Sequence, residues 1–457
     1  MIIVFGAGIS GIGAKNLLES KGKEVILVDD KVGEINTEKA LDILETKDVE
    51  YIVKSPGISF ENSFVKKAIE KGIAIYSEID IAYEYMNKDI QIIAFTGTNG
   101  KTTTCTKTYE MLKKAGFNVE LGGNVGRSFA EIVKENKELD YIVLELSSYQ
   151  LENHPKVKPY VSGIINLTPD HLGRYKDVEE YYMTKFNIFL NQGKRDKMIV
   201  NVDDSTFLNL YKKAKELENY KNPKRIYISK NTKGSIFVSN GSIYIMKDIY
   251  EMYNSKFNLI QSADKLIDVK DLALKGEHNL ENMLFLIATA KICGIPNKVI
   301  RNYLKETKSI EHRMEDFYKK SNTIFINDSK GTNVASTNKA INSYENDIIL
   351  ICGGEDKKVP LDELGIEIGR NVKFTYIYGE NRYLIEKELK KVGYNKYAIF
   401  ETVDECIKHI KENVNFEEYN TILYSPATAS FDQFKNFEER GRYFKNRVIE
   451  ILGENNA

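Results

Sequence analysis

The stretch "GTNGKTTT", Gly97 to Thr104, follows the apolar run "DIQIIAFT" and leads into a helix-patterned segment from about Lys101 to Ala115. A glycine turn between a buried strand and a helix is the setting of a phosphate loop. Backbone N–H groups of Gly97, Thr98, Asn99 and Gly100 would cradle phosphates at a helix N-terminus. Lys101 would reach the terminal phosphates, and a threonine hydroxyl at Thr102, beside Thr103, would face magnesium. Phe95 stands where the general pattern has its first glycine, so the spacing is the shorter G-x-x-G-K-T. Magnesium on a triphosphate needs hard oxygen ligands. Glu145 supplies one candidate: it ends the hydrophobic strand of "YIVLELSSYQ", where the carboxyl edge of a parallel sheet meets its ligand crevice.

A second glycine pattern opens the chain. In "MIIVFGAGISGIG", Gly6-x-Gly8-x-x-Gly11 follows a short strand and precedes a helix, and the next strand, "EVILVDD", ends in Asp29 and Asp30. This is a diphosphate-holding turn with an acid near a ribose, and it fits a nicotinamide, a flavin or another nucleotide diphosphate. About four strands fit before Gly97, fewer than the roughly six of a full dinucleotide fold. An oxidoreductase and a P-loop protein that hydrolyses ATP for motion or signalling therefore remain rivals at this point. Polar clusters recur at the ends of later strands. "NLTPDHLGRY" carries His171, "GEHNLEN" sets Asn279 and Asn282 one helical turn apart where their amides could read an adenine edge, and "IEHRMEDF" holds Arg313.

The elements that must position these residues alternate. Strands and helices follow one another through residue 88, restart at "DIQIIAFT", and restart again at "NTIFINDSKG". Alternation of this kind implies parallel sheets with crossover helices. Between about Lys221 and Lys275 lie short runs with turn residues, and Asn240-Gly241 is a strong hairpin signal; the expectation is a small antiparallel sheet appended to the central domain. The helical block from His278 to Glu306 then leads to a polar connection. The length agrees with about three domains, with boundaries expected at 1–88, 89–309 and 310–457.

The chain balances 65 basic against 66 acidic residues, spread evenly, which argues against a nucleic-acid partner. No apolar run reaches the eighteen or so residues that span a bilayer, and no charged leader precedes the first strand, so a cytoplasmic protein without membrane insertion is expected. Four scattered cysteines, with no C-x-x-C pair, read as small core residues.

Taken in order, "GTNGKTTT", "LELSSYQL", "NLTPDHLGRY", "GEHNLEN", "EHRMEDF" and "NDSKGTN" resemble the Mur ligases, ATP-dependent amide-forming enzymes of peptidoglycan precursor synthesis. "SPATASFDQFKNFEERGRYF" resembles the branch that adds D-glutamate to UDP-N-acetylmuramoyl-L-alanine, and the "DNPR" motif of other branches is absent. The resemblance implies an α/β protein of three domains: an N-terminal Rossmann-like unit, a central P-loop ATPase-type parallel sheet, and a C-terminal Rossmann-like unit that closes over ATP, with a hinge between Gly294 and His312.

It further implies an acyl-phosphate mechanism with Lys101, Glu145, His171 and Lys185 at the reaction centre, and work as a monomer. Magnesium, two ions by the resemblance, would be held by Thr102, Glu145, His171 and Lys185, the last as a CO2-derived carbamate. ATP would meet Gly97 to Thr103, Asn279, Asn282, Arg313, Asp328 and Lys330. The UDP precursor would meet Ile9, Ser10, Asp29, Asp30, Lys31, Gly57, Asn124 and His171. D-glutamate would be held by Thr332, Lys357, Ser430 and Phe437, since cations and hydroxyls are what a dicarboxylate requires.

Overall fold

Four short strands, β1 (Ile2–Phe5), β2 (Val25–Val28), β3 (Tyr51–Lys54) and β4 (Ala74–Tyr76), pair in parallel in the order β2-β1-β3-β4. β1 is buried on both faces, which is why it reads as an unbroken apolar run. Ile2 and Val4 pack with Leu17 and Leu18 of the following helix, whereas Ile3 and Phe5 pack with Phe64 and Val65 on the other side. The structure is a computed structural model, and it describes residues 1–153, 155–169, 174–216, 223–249, 263–274, 276–344, 347–419 and 421–453.

A nine-stranded sheet follows. Its strands are β5 (Gln91–Thr96), β6 (Val119–Gly123), β7 (Tyr141–Glu145), β8 (Val161–Ile164), β9 (Lys197–Asn201), β10 (Lys224–Ser229), β11 (Ile236–Ser239), β12 (Ser242–Met246) and β13 (Ala263–Asp268). The order is β13-β12-β11-β10-β9-β8-β5-β7-β6, parallel from β6 through β11 and antiparallel from β11 to β13. The hairpin at Asn240-Gly241 is present, and both residues take positive φ (48° and 69°), as a two-residue turn between twisted strands requires. The antiparallel strands are not a separate sheet, however. Ile228 and Ser229 of β10 pair with Ile236 and Phe237 of β11, so the hairpin continues the parallel sheet and covers the open hydrogen-bonding edge of β10.

The third sheet comprises β14 (Glu315–Lys320), β15 (Thr323–Asn327), β16 (Ile348–Gly353), β17 (Val372–Tyr378), β18 (Tyr397–Ile399) and β19 (Thr421–Tyr424). The order β14-β15-β19-β16-β17-β18 is parallel except for the β14–β15 hairpin. The chain divides into two compact units, Met1–Thr307 and Lys308–Ala457. No helix among the described residues is long and apolar enough to cross a membrane.

Candidate functional site

β5 is apolar and buried from Ile92 to Thr96, and its carboxyl end opens onto Gly97-Thr98-Asn99-Gly100 before the helix Lys101–Lys114. Gly100 has φ 77°, and a Cβ there would sit 2.2 Å from Asn282 Oδ1, so only glycine fits. Gly100 offers no side-chain cap to this helix, and a helix N-terminus is where an anion is favoured. The loop is braced by the segment after β8. The Thr98 and Asn99 amides donate to Asn166 O and Oδ1, each at 2.9 Å, and Thr98 Oγ1 donates to Thr168 O at 2.9 Å. Asn282, 3% exposed, accepts from Thr104 Oγ1 at 3.2 Å, so its amide oxygen supports the helix start. Asn279 lies on the same helix, Glu277–Ile292, and is half-buried.

Lys101 Nζ donates to the carbonyls of Gly97 and Thr98, both at 2.9 Å. Lys185, only 1% exposed, donates to the same Gly97 carbonyl at 3.1 Å and lies 4.3 Å from the Tyr181 ring. Two ammonium groups thus meet on one carbonyl oxygen, gathering positive charge at the loop. Glu145, 2% exposed, ends β7 beside β5. Its Oε1 accepts from Asn124 Nδ2 at 2.8 Å, while its Oε2 has no hydrogen-bond partner among the described residues. A buried carboxylate oxygen left open is costly unless something completes it. A hard, open carboxylate oxygen of this kind is chemistry that suits magnesium, as is a threonine hydroxyl such as that of the buried Thr102. Among the described residues no cluster of three or more His, Cys, Asp or Glu could hold a metal by itself. His171 lies outside the described residues.

In the first sheet, a Cβ on Gly11 would fall 1.8 Å from Gly6 O, so the helix Ile9–Ser20 starts hard against the glycine turn. Ile9 is 72% exposed at that start and Ser10 is half-buried. Asp29 accepts from the amides of Ala7 (2.9 Å), Lys31 (3.0 Å) and Val32 (3.3 Å), and those bonds hold its carboxyl below the usual range. Asp30 accepts from the Thr37 amide at 2.8 Å, and Lys31 is exposed. Gly57 O accepts from Arg174.

In the third sheet three loops meet at the carboxyl edges of adjacent strands β15, β19 and β16. Asp328, buried after β15, accepts from Ser425 Oγ at 2.7 Å and from the Met314 amide at 3.3 Å; burial pushes its carboxyl up to about 6. Lys357 Nζ donates to Thr332 O at 3.2 Å, which brings these two expected residues together. Ser430 is 2% exposed, and Phe437 begins the helix Phe437–Leu452 with Lys330 Nζ 5.6 Å from its ring. Arg313 is half-buried just before β14.

Three comparisons with known proteins bear on this arrangement. Residues 95–290 match the Mur ligase middle domain, and residues 312–427 match the Mur ligase glutamate ligase domain. Over 456 residues the chain is 45% identical to the UDP-N-acetylmuramoylalanine–D-glutamate ligase of Fusobacterium nucleatum, covering 99% of each chain. The chain belongs to the Mur ligase family. A similarly named ligase from a Thermoanaerobacter species is 36% identical over 98% of each chain. Among solved structures, MurF from Acinetobacter baumannii aligns with TM-score 0.61 at 16% identity, over 96% of this chain and 98% of that one. UDP-N-acetylmuramate-alanine ligase from Thermotoga maritima aligns at 0.54 and 16%, over 99% and 98%. These are likenesses of fold: mixed α/β with mainly parallel sheets.

Within this Mur ligase fold, the structure adds residues that the motifs did not single out. Asn166 and Thr168 brace the phosphate loop. Arg440 is fully buried: its Nε donates to Ser329 Oγ (3.1 Å), its Nη2 to Ser329 O (2.9 Å) and Thr428 O (3.0 Å), and its Nη1 to Ala429 O (2.9 Å). It thereby ties the loop after β15 to the loop after β19. A signal for it was present: Arg440, Phe444, Val448 and Leu452 share one buried helix face, so a cation stands where the period demands an apolar residue.

Proposed function

We propose that the chain joins D-glutamate to UDP-N-acetylmuramoyl-L-alanine with cleavage of ATP to ADP and phosphate, in peptidoglycan precursor synthesis. The observation that carries this reading is the meeting of Lys101 and Lys185 on the Gly97 carbonyl of the phosphate loop, with the open carboxylate of Glu145 ending the strand beside β5, in a chain 45% identical over 456 residues to a ligase of that name. A carboxylate is a poor electrophile. The alanyl carboxylate therefore attacks the γ-phosphorus of ATP, ADP departs, and an acyl phosphate forms. The amine of D-glutamate then attacks the acyl carbon, loses a proton, and phosphate leaves. Phosphoryl transfer of this kind depends on positioning and charge neutralisation.

In this reading the N–H groups of Gly97 to Thr103 hold the phosphates and Lys101 moves from the loop carbonyls to the γ-phosphate. Thr102 and Glu145, with His171 and a carbamylated Lys185, would hold two magnesium ions, which would neutralise charge on the phosphates and the reacting carboxylate. Asn279, Arg313, Asp328 and Lys330 serve the rest of ATP, and Asn282 acts by holding Gly100 in place. Ile9 and Ser10 meet the precursor's diphosphate, and Asp30 and Lys31 its nucleoside. Asp29 fixes the turn that carries them, while Gly57 and Asn124 complete the cradle. Thr332, Lys357, Ser430 and Phe437 receive D-glutamate. The roles divide over residues 1–88, 89–309 and 310–457, in a cytoplasmic monomer. The test is phosphate release with ATP and the precursor while single amino acids are added in turn. D-glutamate is expected to stimulate release strongly; equal release with L-glutamate, or with no amino acid, would overturn the assignment.

A further inference from the structure

Arg174 is part of neither nucleotide turn, yet its contacts run toward both. On one side Nη2 donates to Ile58 O (2.9 Å) and Pro56 O (3.2 Å), and Nη1 donates to Gly57 O (3.2 Å). On the other side Nε and Nη2 pair with the two oxygens of Glu152, at 3.1 and 2.9 Å. The side chain is 14% exposed. Lys54, buried beside it, donates to the same Ile58 carbonyl at 2.7 Å and lies 4.0 Å from Glu152. The gripped turn also holds the first glycine motif, because Ser55 Oγ donates to Gly6 O at 2.9 Å.

A row of rings continues in the opposite direction. The guanidinium lies 4.7 Å from the Tyr149 ring, Tyr149 neighbours Tyr175 at 6.2 Å, and Tyr175 neighbours Tyr181 at 5.3 Å. Tyr181 lies under the Lys185 ammonium, and its hydroxyl donates to Thr98 Oγ1 at 3.4 Å. Packed contacts therefore join the Gly6 turn to the phosphate loop, and Arg174 is the link in that row at which the first sheet's turn meets the second.

We propose that Arg174 is a positioning residue that fixes the spacing between the glycine turn of the first sheet and the phosphate loop of the second, and so brings the precursor's carboxylate into line with ATP. This rests on the reading that the precursor's diphosphate lies on the first turn and ATP on the second. A substrate anchored at its diphosphate end reaches the other nucleotide only if the two cradles are correctly spaced, and a misplacement of about 1 Å costs on the order of 100-fold in rate. A planar guanidinium can serve a carboxylate and a row of carbonyls together; an ammonium cannot.

The experiment compares the parent with Arg174→Ala, Arg174→Lys and Glu152→Gln. Precursor and ADP binding are read by calorimetry, phosphate release at saturating substrates gives kcat, and thermal melting reports folding. In Arg174→Ala, kcat is expected to fall about 100-fold while both ligands still bind within about threefold of the parent, and Arg174→Lys should not restore it. A kcat within threefold of the parent, or a loss confined to precursor affinity, overturns the proposal. If Arg174→Ala fails to melt cooperatively, Glu152→Gln decides: it keeps the carbonyl contacts, removes the ion pair, and must show the same kcat-selective loss. A parent that binds no precursor defeats the functional reading itself, which separates the two failures.

Discussion

Glu78 is the buried carboxylate for which opposing effects can be weighed. It is 2% exposed, its Oε1 accepts from the Ala130 amide at 2.6 Å, and its Oε2 has no partner among the described residues. Burial penalises the anion, the helix N-terminus at Ala130 favours it, and burial wins, pushing the carboxyl from 4.5 up to about 7. Folded Glu78 therefore keeps its proton between pH 4.5 and 7, where the unfolded chain has lost it. Its contribution to stability is fully present below pH 4.5 and declines as pH rises through 7, by at most about 1.4 kcal/mol per pH unit. Glu78→Gln carries no such proton, and its amide oxygen can still accept from Ala130. Melting midpoints of parent and variant at pH 5 and pH 8 should diverge in favour of the variant at pH 8. A difference independent of pH would contradict this. Lys185 differs: the resemblance to the Mur ligases marked it for chemistry, whereas nothing local marks Glu78, whose burial depends on a helix fifty residues away.

At the scale of elements, the helix Ile9–Ser20 does more than start at a glycine turn. It packs on the helix Phe129–Glu135, where a Cβ on Gly13 would lie 2.1 Å from Ser128 Oγ, and Asn16 donates to Glu131 at 2.6 Å. Gly13→Ala should destabilise the chain by about 1–3 kcal/mol through overpacking. Ser128→Ala removes the clashing oxygen but also the cap that accepts from the Glu131 amide, costing about 1 kcal/mol by itself. The double variant should lose less than the sum of the two single losses, which urea unfolding of all four proteins can measure; strict additivity would show that the contact does not exist. The helix was legible because its period lies within twelve residues; its partner was not, because the contact spans more than a hundred. β14 escaped for another reason. "EDFYKK" is an edge strand with mostly polar residues, so it lacks the apolar run that marked β15. The hairpin at Asn240-Gly241 was legible from its turn chemistry, but whether it joined the main sheet depended on which edge of β10 was open.

For the whole molecule, the decisive feature is where hydrophobic contacts stop. Each described core cluster lies wholly on one side of Thr307/Lys308. Those around β1 and β5 share residues of both sheets, since Ile2 and Val4 belong with Ala94, Ile142 and Leu144 in one core. The sequence shows three restarts of the α/β pattern, but restarts do not reveal which cores merge; the packing of the helix Ile9–Ser20 on the helix Phe129–Glu135 is a tertiary fact. Two consequences follow from domain size and core continuity. A Met1–Thr307 fragment should melt cooperatively and bind the UDP precursor within about threefold of the full chain, because every residue proposed to hold that ligand lies in it. The same fragment should show no D-glutamate-dependent phosphate release, since Thr332, Lys357, Ser430 and Phe437 are missing. By the same reasoning, a 1–88 fragment should not fold by itself: the helices Ile9–Ser20 and Glu78–Tyr85 would lose the helix Phe129–Glu135 on which they pack. Circular dichroism melts and calorimetry on the two fragments decide this. A cooperative 1–88 fragment, or a 1–307 fragment that fails to melt cooperatively, would mean that the core boundary has been drawn in the wrong place.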